Sequence, residues 1–138
     1  MNTRHHRPSR SGFTLVEIMI VAAILTIMAT IAVPNYLRAR KRSQAVRVLE
    51  DLRILDHAFE LYSIEHNRSG VESVASTDVV HFLPYIKKDT VLYTTLPNDY
   101  FGNPFSLTTL QAGPKLSGTT FTALSDIAPQ DFWSPYYP

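Results

Sequence analysis

Hydrophobic residues are concentrated in one long segment near the beginning of the chain. Phe13 to Val33 is a mainly apolar run of twenty-one residues in which Glu17 is the only charged side chain. As an α-helix, the run would be about 30 Å long, which matches the hydrocarbon thickness of a bilayer. The pattern therefore predicts a transmembrane helix over residues 13–33.

A secretory signal peptide is the first alternative for this run. Such signals usually have an apolar region of about 7–15 residues that ends at a small-residue cleavage site. The run is longer, contains a charge and has no Ala-x-Ala sequence, so a membrane span is favoured. Basic residues occur on both sides of the run, so charge counting leaves its orientation open; they are Arg4, Arg7 and Arg10 before it, and Arg38, Arg40, Lys41, Arg42 and Arg47 after it.

Beyond the run, the spacing of apolar residues changes to that of an amphipathic helix. They recur at alternating steps of three and four, which places them on one face of a helix; they are Ala45, Val48, Leu52, Leu55, Phe59 and Tyr62. Polar residues and Gly70 indicate a helix end near residues 67–70. We expect an amphipathic helix over 34–68 whose apolar stripe completes the core of the following region, which would be marginal alone.

Residues 69–138 contain short patterns of both structural types. Residues 77–83 predict a short helix that is capped at Ser76 or Thr77 and ended by Pro84. Segments rich in β-branched and aromatic residues predict strands at 89–95, 105–110 and 119–124. The predicted fold class is α+β, with a long N-terminal helix (the membrane span plus its amphipathic half) packed on the small antiparallel β-sheet of a globular head.

Glu17 has both a structural and a functional interpretation. Thr14 and Glu17 fit the capping-box pattern, in which the two side chains satisfy free backbone donors at a helix start. A carboxylate in the hydrocarbon region costs roughly 2.5–3.5 kcal/mol or more, however, and usually indicates function. Capping is therefore not the whole explanation of Glu17.

Two further features of the first helix concern its packing. Ala22, Thr26 and Thr30 are spaced four residues apart and form a narrow stripe of small residues, which allows close helix approach in lipid but also occurs in many membrane helices. Pro34 removes one backbone hydrogen bond and clashes with the preceding turn. We expect a kink or local melting of the helix at Pro34.

Composition argues against nucleic-acid binding and catalysis. The net charge is +1, and without residues 1–12 there would be ten basic against twelve acidic residues, so a strongly basic surface is not expected. No nucleophile motif, phosphate loop or helical His-x₃-His pair is present, and the chain has no cysteine. Four head residues could supply oxygen ligands to Ca²⁺, but solvated loop carboxylates are the favoured interpretation and no cofactor is expected; they are Asn98, Asp99, Asp126 and Asp131.

The stretch GFTLVEIMIVAAILTIMATIAVPNY resembles the N-terminal segment of the type IV pilin superfamily, with Gly12, Phe13, Glu17 and Pro34 at the characteristic positions. The resemblance implies removal of the basic leader, residues 1–12, by a prepilin peptidase that cuts between Gly12 and Phe13. It also implies N-methylation of Phe13 and assembly into a helical filament. The new amine would lie four residues before Glu17, so Glu17 is predicted to pair with the amine of a neighbouring subunit during assembly.

The head favours one branch of this superfamily. The phrase NDYFGNPFSL resembles a turn of type II secretion pseudopilins, and the absence of cysteine argues against the disulfide-closed loop of many type IV pilins. The predicted function is a non-enzymatic pseudopilin of a type II secretion-like system, in the bacterial inner membrane with a periplasmic head. Expected partners are the prepilin peptidase, other pseudopilins, the inner-membrane assembly platform and lipid, but not nucleic acid. A type IV pilus subunit and a monomeric membrane-anchored binding protein are the alternatives.

Overall fold

One helix dominates the structure, a computed structural model that describes residues 12–68, 70–75 and 78–138. Helix α1 extends over Leu15–Glu65, and its end agrees with the predicted stop signal to within a few residues. The chain divides into two compact units, Met1–Leu37 and Arg38–Pro138, and α1 contributes to both. Of the predicted leader, residues 1–11 lie outside the described residues, as do the proposed caps Ser76 and Thr77.

The second unit is built from short elements around the second half of α1. Its helices are α2 (Val79–Phe82), α3 (Val91–Thr95) and α4 (Gly118–Leu124), with 3₁₀ turns at Leu83–Tyr85 and Gln130–Trp133. The sheet of the described part consists of β1 (Ser106–Leu107) and β2 (Pro114–Lys115), which pair antiparallel. The predicted α+β class, a long N-terminal helix packed on a small antiparallel sheet, is confirmed.

The apolar stripe of α1 forms one side of the core, as its spacing predicted. All six stripe residues from Ala45 to Tyr62 are buried, and they belong to one cluster with residues from every later part of the chain. Phe59 packs against Phe82 of α2 with ring centroids 4.2 Å apart. Trp133 is fully buried and donates from Nε1 to the carbonyl of Ala128 at 3.0 Å. The aromatic C-terminal segment therefore packs onto the head.

Two polar contacts also link the C-terminal part of the chain to α1. Lys41 Nζ lies 2.9 Å from Asp126 Oδ2, and this hydrogen bond lowers the pKa of the Asp126 carboxyl. Farther along α1, Tyr136 donates from its hydroxyl to Asp56 Oδ2 at 3.1 Å. Gly113 has a φ of 68°, which favours glycine, and an added Cβ atom would lie 2.7 Å from Asp56 Oδ1.

Two of the three predicted strands are wrong. Residues 91–95 of the first form helix α3, and the third lies in helix α4, because these short helices place Leu92 and Leu124 in the core. The threonine hydroxyls of both segments are satisfied within the helical turn. Thr94 and Thr95 donate to the carbonyl of Val91, and Thr122 donates to that of Gly118. Residues 105–110 do contain β1, but its partner β2 lies between the second and third predicted strands.

Candidate functional site

The beginning of α1 carries a complete capping box. Glu17 Oε2 accepts hydrogen bonds from the backbone N–H of Thr14 at 2.7 Å and from its hydroxyl at 2.9 Å. In return, the backbone N–H of Glu17 donates to Thr14 Oγ1 at 3.2 Å. The structural role considered for Glu17 is therefore real. The capping box fixes the carboxylate at the start of the helix, close to residue 13, where cleavage would create an amine.

Gly12 and Phe13 precede the helix and are exposed. A Cβ atom added at Gly12 would meet no other atom within 4 Å, so the space around this position does not require glycine. Packing within the chain therefore does not explain why this residue is glycine. Entry of the backbone into a protease cleft would explain it, because glycine has no side chain to obstruct the cleft. Cleavage between Gly12 and Phe13, and methylation of Phe13, stay predictions.

The first part of α1 presents apolar side chains to its surroundings on all sides. Every residue from Gly12 to Arg40 is exposed, and the large apolar ones include Phe13, Ile20, Ile27 and Val33. The helix is long and apolar enough to cross a membrane, and the apolar window is not buried at all in the structure. A surface of this kind is suited to membrane anchoring rather than to packing in a soluble core.

The two threonine hydroxyls in the apolar part of α1 are hydrogen-bonded inside the helix. Thr26 donates to the carbonyl of Ala22 at 2.8 Å, and Thr30 donates to that of Thr26 at 2.9 Å. Since an unsatisfied hydroxyl in hydrocarbon is costly, these bonds make both residues compatible with lipid. The stripe of small residues is thus available for helix contact without exposing polar groups.

Pro34 lies inside α1, which is helical on both sides of it. The local melting that we considered at Pro34 is therefore not observed. A bend at this position stays a prediction, because a proline in the interior of a helix removes one backbone hydrogen bond.

Asp99 is the most buried acidic side chain in the head and organises the turn after α3. Its Oδ1 accepts from the backbone N–H groups of Phe101 at 2.8 Å and Asn103 at 3.0 Å, while Oδ2 accepts from the hydroxyl of Thr120. Gly102 adopts a φ of 82°, which closes the turn. Sequence reasoning named Asp99 as a possible calcium ligand, but its hydrogen bonds give it a structural role.

The other acidic candidates for calcium, Asp126 and Asp131, do not form a metal-binding cluster with Asp99 among the described residues. Asp126 is paired with Lys41, and Asp131 lies in the first turn of the 3₁₀ segment Gln130–Trp133. Within residues 12–68, 70–75 and 78–138, no three acidic or histidine side chains converge in a way that could hold a metal ion. The sequence contained no signal for the Lys41–Asp126 pair, because 85 residues separate its members.

Replacing Asp99 with alanine is expected to reduce the free energy of unfolding by about 3 kcal/mol, because two backbone donors and one hydroxyl would lose a buried, charged acceptor. Asp89→Ala is the matched control: Asp89 is exposed, and its weak contact with Lys87 predicts a change within about 0.5 kcal/mol. Urea denaturation of the full-length proteins in detergent, followed by tryptophan fluorescence, measures both. Equal stability of the two variants would contradict the assigned role of Asp99.

Comparison with known proteins supplies the decisive observation. A family model described as the prokaryotic N-terminal methylation motif matches residues 7–33, which include Gly12, Phe13 and Glu17. This match and the relatives below support a place for the chain in the type IV pilin superfamily. The motif indicates processing by a prepilin peptidase.

Curated relatives of this pilin-like chain extend the similarity beyond the motif. It is 29% identical over 103 residues to the type II secretion system core protein G of Aeromonas hydrophila, covering 71% of this chain and 72% of that one. It is 28% identical over 122 residues to the protein of the same name from Vibrio cholerae, covering 85% and 82%. The type IV major pilin protein PilA of Myxococcus xanthus is 37% identical over 68 residues, which are 49% of this chain and 31% of PilA. No solved structure matches the chain significantly.

Proposed function

We propose that this protein is a non-enzymatic filament subunit, a pseudopilin of a type II secretion-like system. The observation that carries the proposal is the start of α1, where the methylation motif, a capped carboxylate and an exposed apolar helix coincide. An apolar helix alone would serve as an anchor. An intramembrane carboxylate four residues after a predicted new amine adds a group that can select a neighbouring subunit.

In this proposal the newly made subunit is inserted in the bacterial inner membrane, with residues 13–33 in the bilayer and the head on the periplasmic side. A prepilin peptidase removes the leader after Gly12, and the amine of Phe13 is methylated. The subunit then joins other pseudopilins at an inner-membrane assembly platform. Arg38, Arg40 and Arg42 are near the end of the span and are suited to contact lipid phosphates.

A type IV pilus subunit is the second candidate. The similarity to the Myxococcus pilin covers 49% of the chain, whereas the similarity to secretion core proteins G extends over 71% to 85%. Matches over 71% to 85% of the chain cannot be confined to residues 1–68, so they include part of the head. This difference in coverage favours the pseudopilin.

Processing provides the first test of the proposal. Mass spectrometry of the membrane-bound protein should find a mature N-terminus at Phe13 that carries one additional methyl group. Gly12→Val should leave the precursor uncut in the membrane, because a β-branched side chain cannot enter a narrow cleft as glycine does. Gly12→Ala adds the smallest side chain and is the matched control, with cleavage largely retained. An intact leader in the unmutated protein, or cleavage after Val33, would refute the proposal.

A further inference from the structure

A positively charged aromatic patch lies on one side of the second half of α1. The Arg47 guanidinium is 5.0 Å from the centroid of the Tyr100 ring, a cation–π geometry. Tyr100 meets Phe101 edge to face, with centroids 5.5 Å apart. Tyr100 is 44% and Phe101 is 38% exposed, although both are large aromatic side chains. We call these three residues the Arg47 patch.

The Arg47 patch is held in place by the turn that contains its aromatic residues. Because the N–H of Phe101 donates to buried Asp99, the backbone that carries both rings is fixed. Arg40 is also exposed and lies seven residues before Arg47, almost two helical turns, so it adds positive charge on the same side of α1. An exposed, rigid set of aromatic and arginine side chains has the composition of an interface hot spot.

An acidic groove lies elsewhere on the same unit. It is formed by residues of α1 and of the segments around Gly70 and Gln111, namely Asp56, Glu60, Ser63, Gly70, Val71, Leu110 and Gln111. The Glu60 side chain is exposed, and the Nδ1 atom of His57 lies 3.6 Å from its Oε2 atom. Val71 adds an exposed apolar side chain. The groove therefore combines negative charge with apolar surface, which complements the Arg47 patch.

The two surfaces point in opposite directions from α1. Arg47 and Asp56 are nine residues apart, which is two and a half helical turns and places them on opposite sides. Along the axis, Arg47 is separated from Asp56 and Glu60 by roughly 14 to 20 Å. An open helical filament needs an interface in which two different surfaces of the same chain meet. Opposite placement with an axial offset satisfies this requirement.

We propose that the Arg47 patch of one subunit docks into the acidic groove of a neighbouring copy of this chain. The proposal rests on the proposed assembly into a filament and assigns the contact between heads. The complementary charges favour a second copy, because both required surfaces are present on every subunit. Parallel copies of α1 that are offset by roughly 14 to 20 Å would bring Arg47 of one copy level with Asp56 or Glu60 of the other.

The test uses the absence of cysteine from the chain. Full-length Phe101→Cys and Gln111→Cys variants are produced together in cells that form filaments, and the cells are then oxidised. Docking places a patch cysteine of one copy beside a groove cysteine of another, so mixed disulfide dimers are expected. Disulfide homodimers of Phe101→Cys in place of mixed dimers would show patch-to-patch contact and overturn the proposal.

Charge reversals then identify the contact. Arg47→Glu or Glu60→Arg, present in both cysteine chains, should each reduce the mixed dimer by about tenfold, because like charges would face each other. The combined Arg47→Glu and Glu60→Arg change should restore the yield to within about twofold, which a misfolded head could not do. Lys88→Glu, an exposed reversal outside both surfaces, is the control and should have no effect.

The outcomes separate this docking from filament formation itself. Filaments of the unmutated protein together with unchanged yields for both single reversals would overturn the docking and leave the proposed function intact. If processed, membrane-inserted protein gives neither filaments nor crosslinks, the proposed function fails and the docking fails with it. Mixed dimers that are lost on either reversal and recovered by both establish the contact.

Discussion

A Glu17→Val subunit is expected to enter the membrane and lose its leader normally, but to form no filaments. Valine makes the span more apolar, so insertion should be equal or better. If Glu17 pairs with the Phe13 amine of a neighbour, the change leaves that amine uncompensated in lipid. The penalty is about 3–5 kcal/mol, which reduces association by roughly a hundredfold or more. Filament yield and subunit crosslinking, compared at equal membrane abundance, measure the effect.

The capping box makes sharp controls possible. Glu17→Gln keeps a side-chain oxygen that can accept both hydrogen bonds from Thr14, but it removes the charge. Thr14→Val removes the hydroxyl and keeps the carboxylate, at a cost of about 1 kcal/mol of helix capping. Pairing predicts that Glu17→Gln fails to assemble and that Thr14→Val assembles. The reverse result would assign Glu17 to capping alone and revive the monomeric membrane anchor as the function.

The second large effect concerns the dependence of the head on α1. A fragment that begins at Asn35 should be soluble and folded, whereas one that begins at Val71 should be unfolded or aggregated. The shorter fragment lacks the buried stripe, in which Leu52, Leu55 and Phe59 are each at most 1% exposed. These three side chains alone contribute roughly 6 kcal/mol at about 2 kcal/mol each, which is comparable with the whole stability of a small domain at about 5–15 kcal/mol.

Thermal denaturation followed by circular dichroism distinguishes the fragments. A cooperative transition of the shorter fragment would show that the described core does not depend on α1. Within the longer fragment, Leu52→Ala should cost about 2–5 kcal/mol, because Leu52 is fully buried. Leu61 on the same helix is 38% exposed, so Leu61→Ala is the matched control and should cost much less.

The sequence predicted the long helix well because one periodic signal extends over many residues. The stripe from Ala45 to Tyr62 repeats with helical spacing, and burial follows that spacing throughout. Thr14 and Glu17 are close in sequence, so their capping box could also be identified from local pattern alone. The features that depend only on residues close in sequence could therefore be predicted from the sequence.

The head was harder to predict because its short segments depend on distant contacts. The threonine-rich segments of α3 and α4 have the composition of strands, yet short helices place Leu92 and Leu124 in the core. Only one of the three hydrogen bonds that Asp99 accepts is distant in sequence, the one from Thr120, which is 21 residues away. Such distant partners cannot be identified from a single sequence, so the prediction of strands followed local β-propensity. Tertiary packing instead imposes helices on these segments.

The buried positions of Trp133 and Tyr136 have a consequence for how the protein is made. Both side chains belong to the same apolar cluster as the stripe of α1, although most of the head separates them from the stripe in sequence. During synthesis, the stripe therefore emerges well before these two residues that help to cover it. A nascent chain carries an incompletely covered apolar helix until Trp133 and Tyr136 have been made, and a premature stop before them leaves a product that quality-control proteases can recognise.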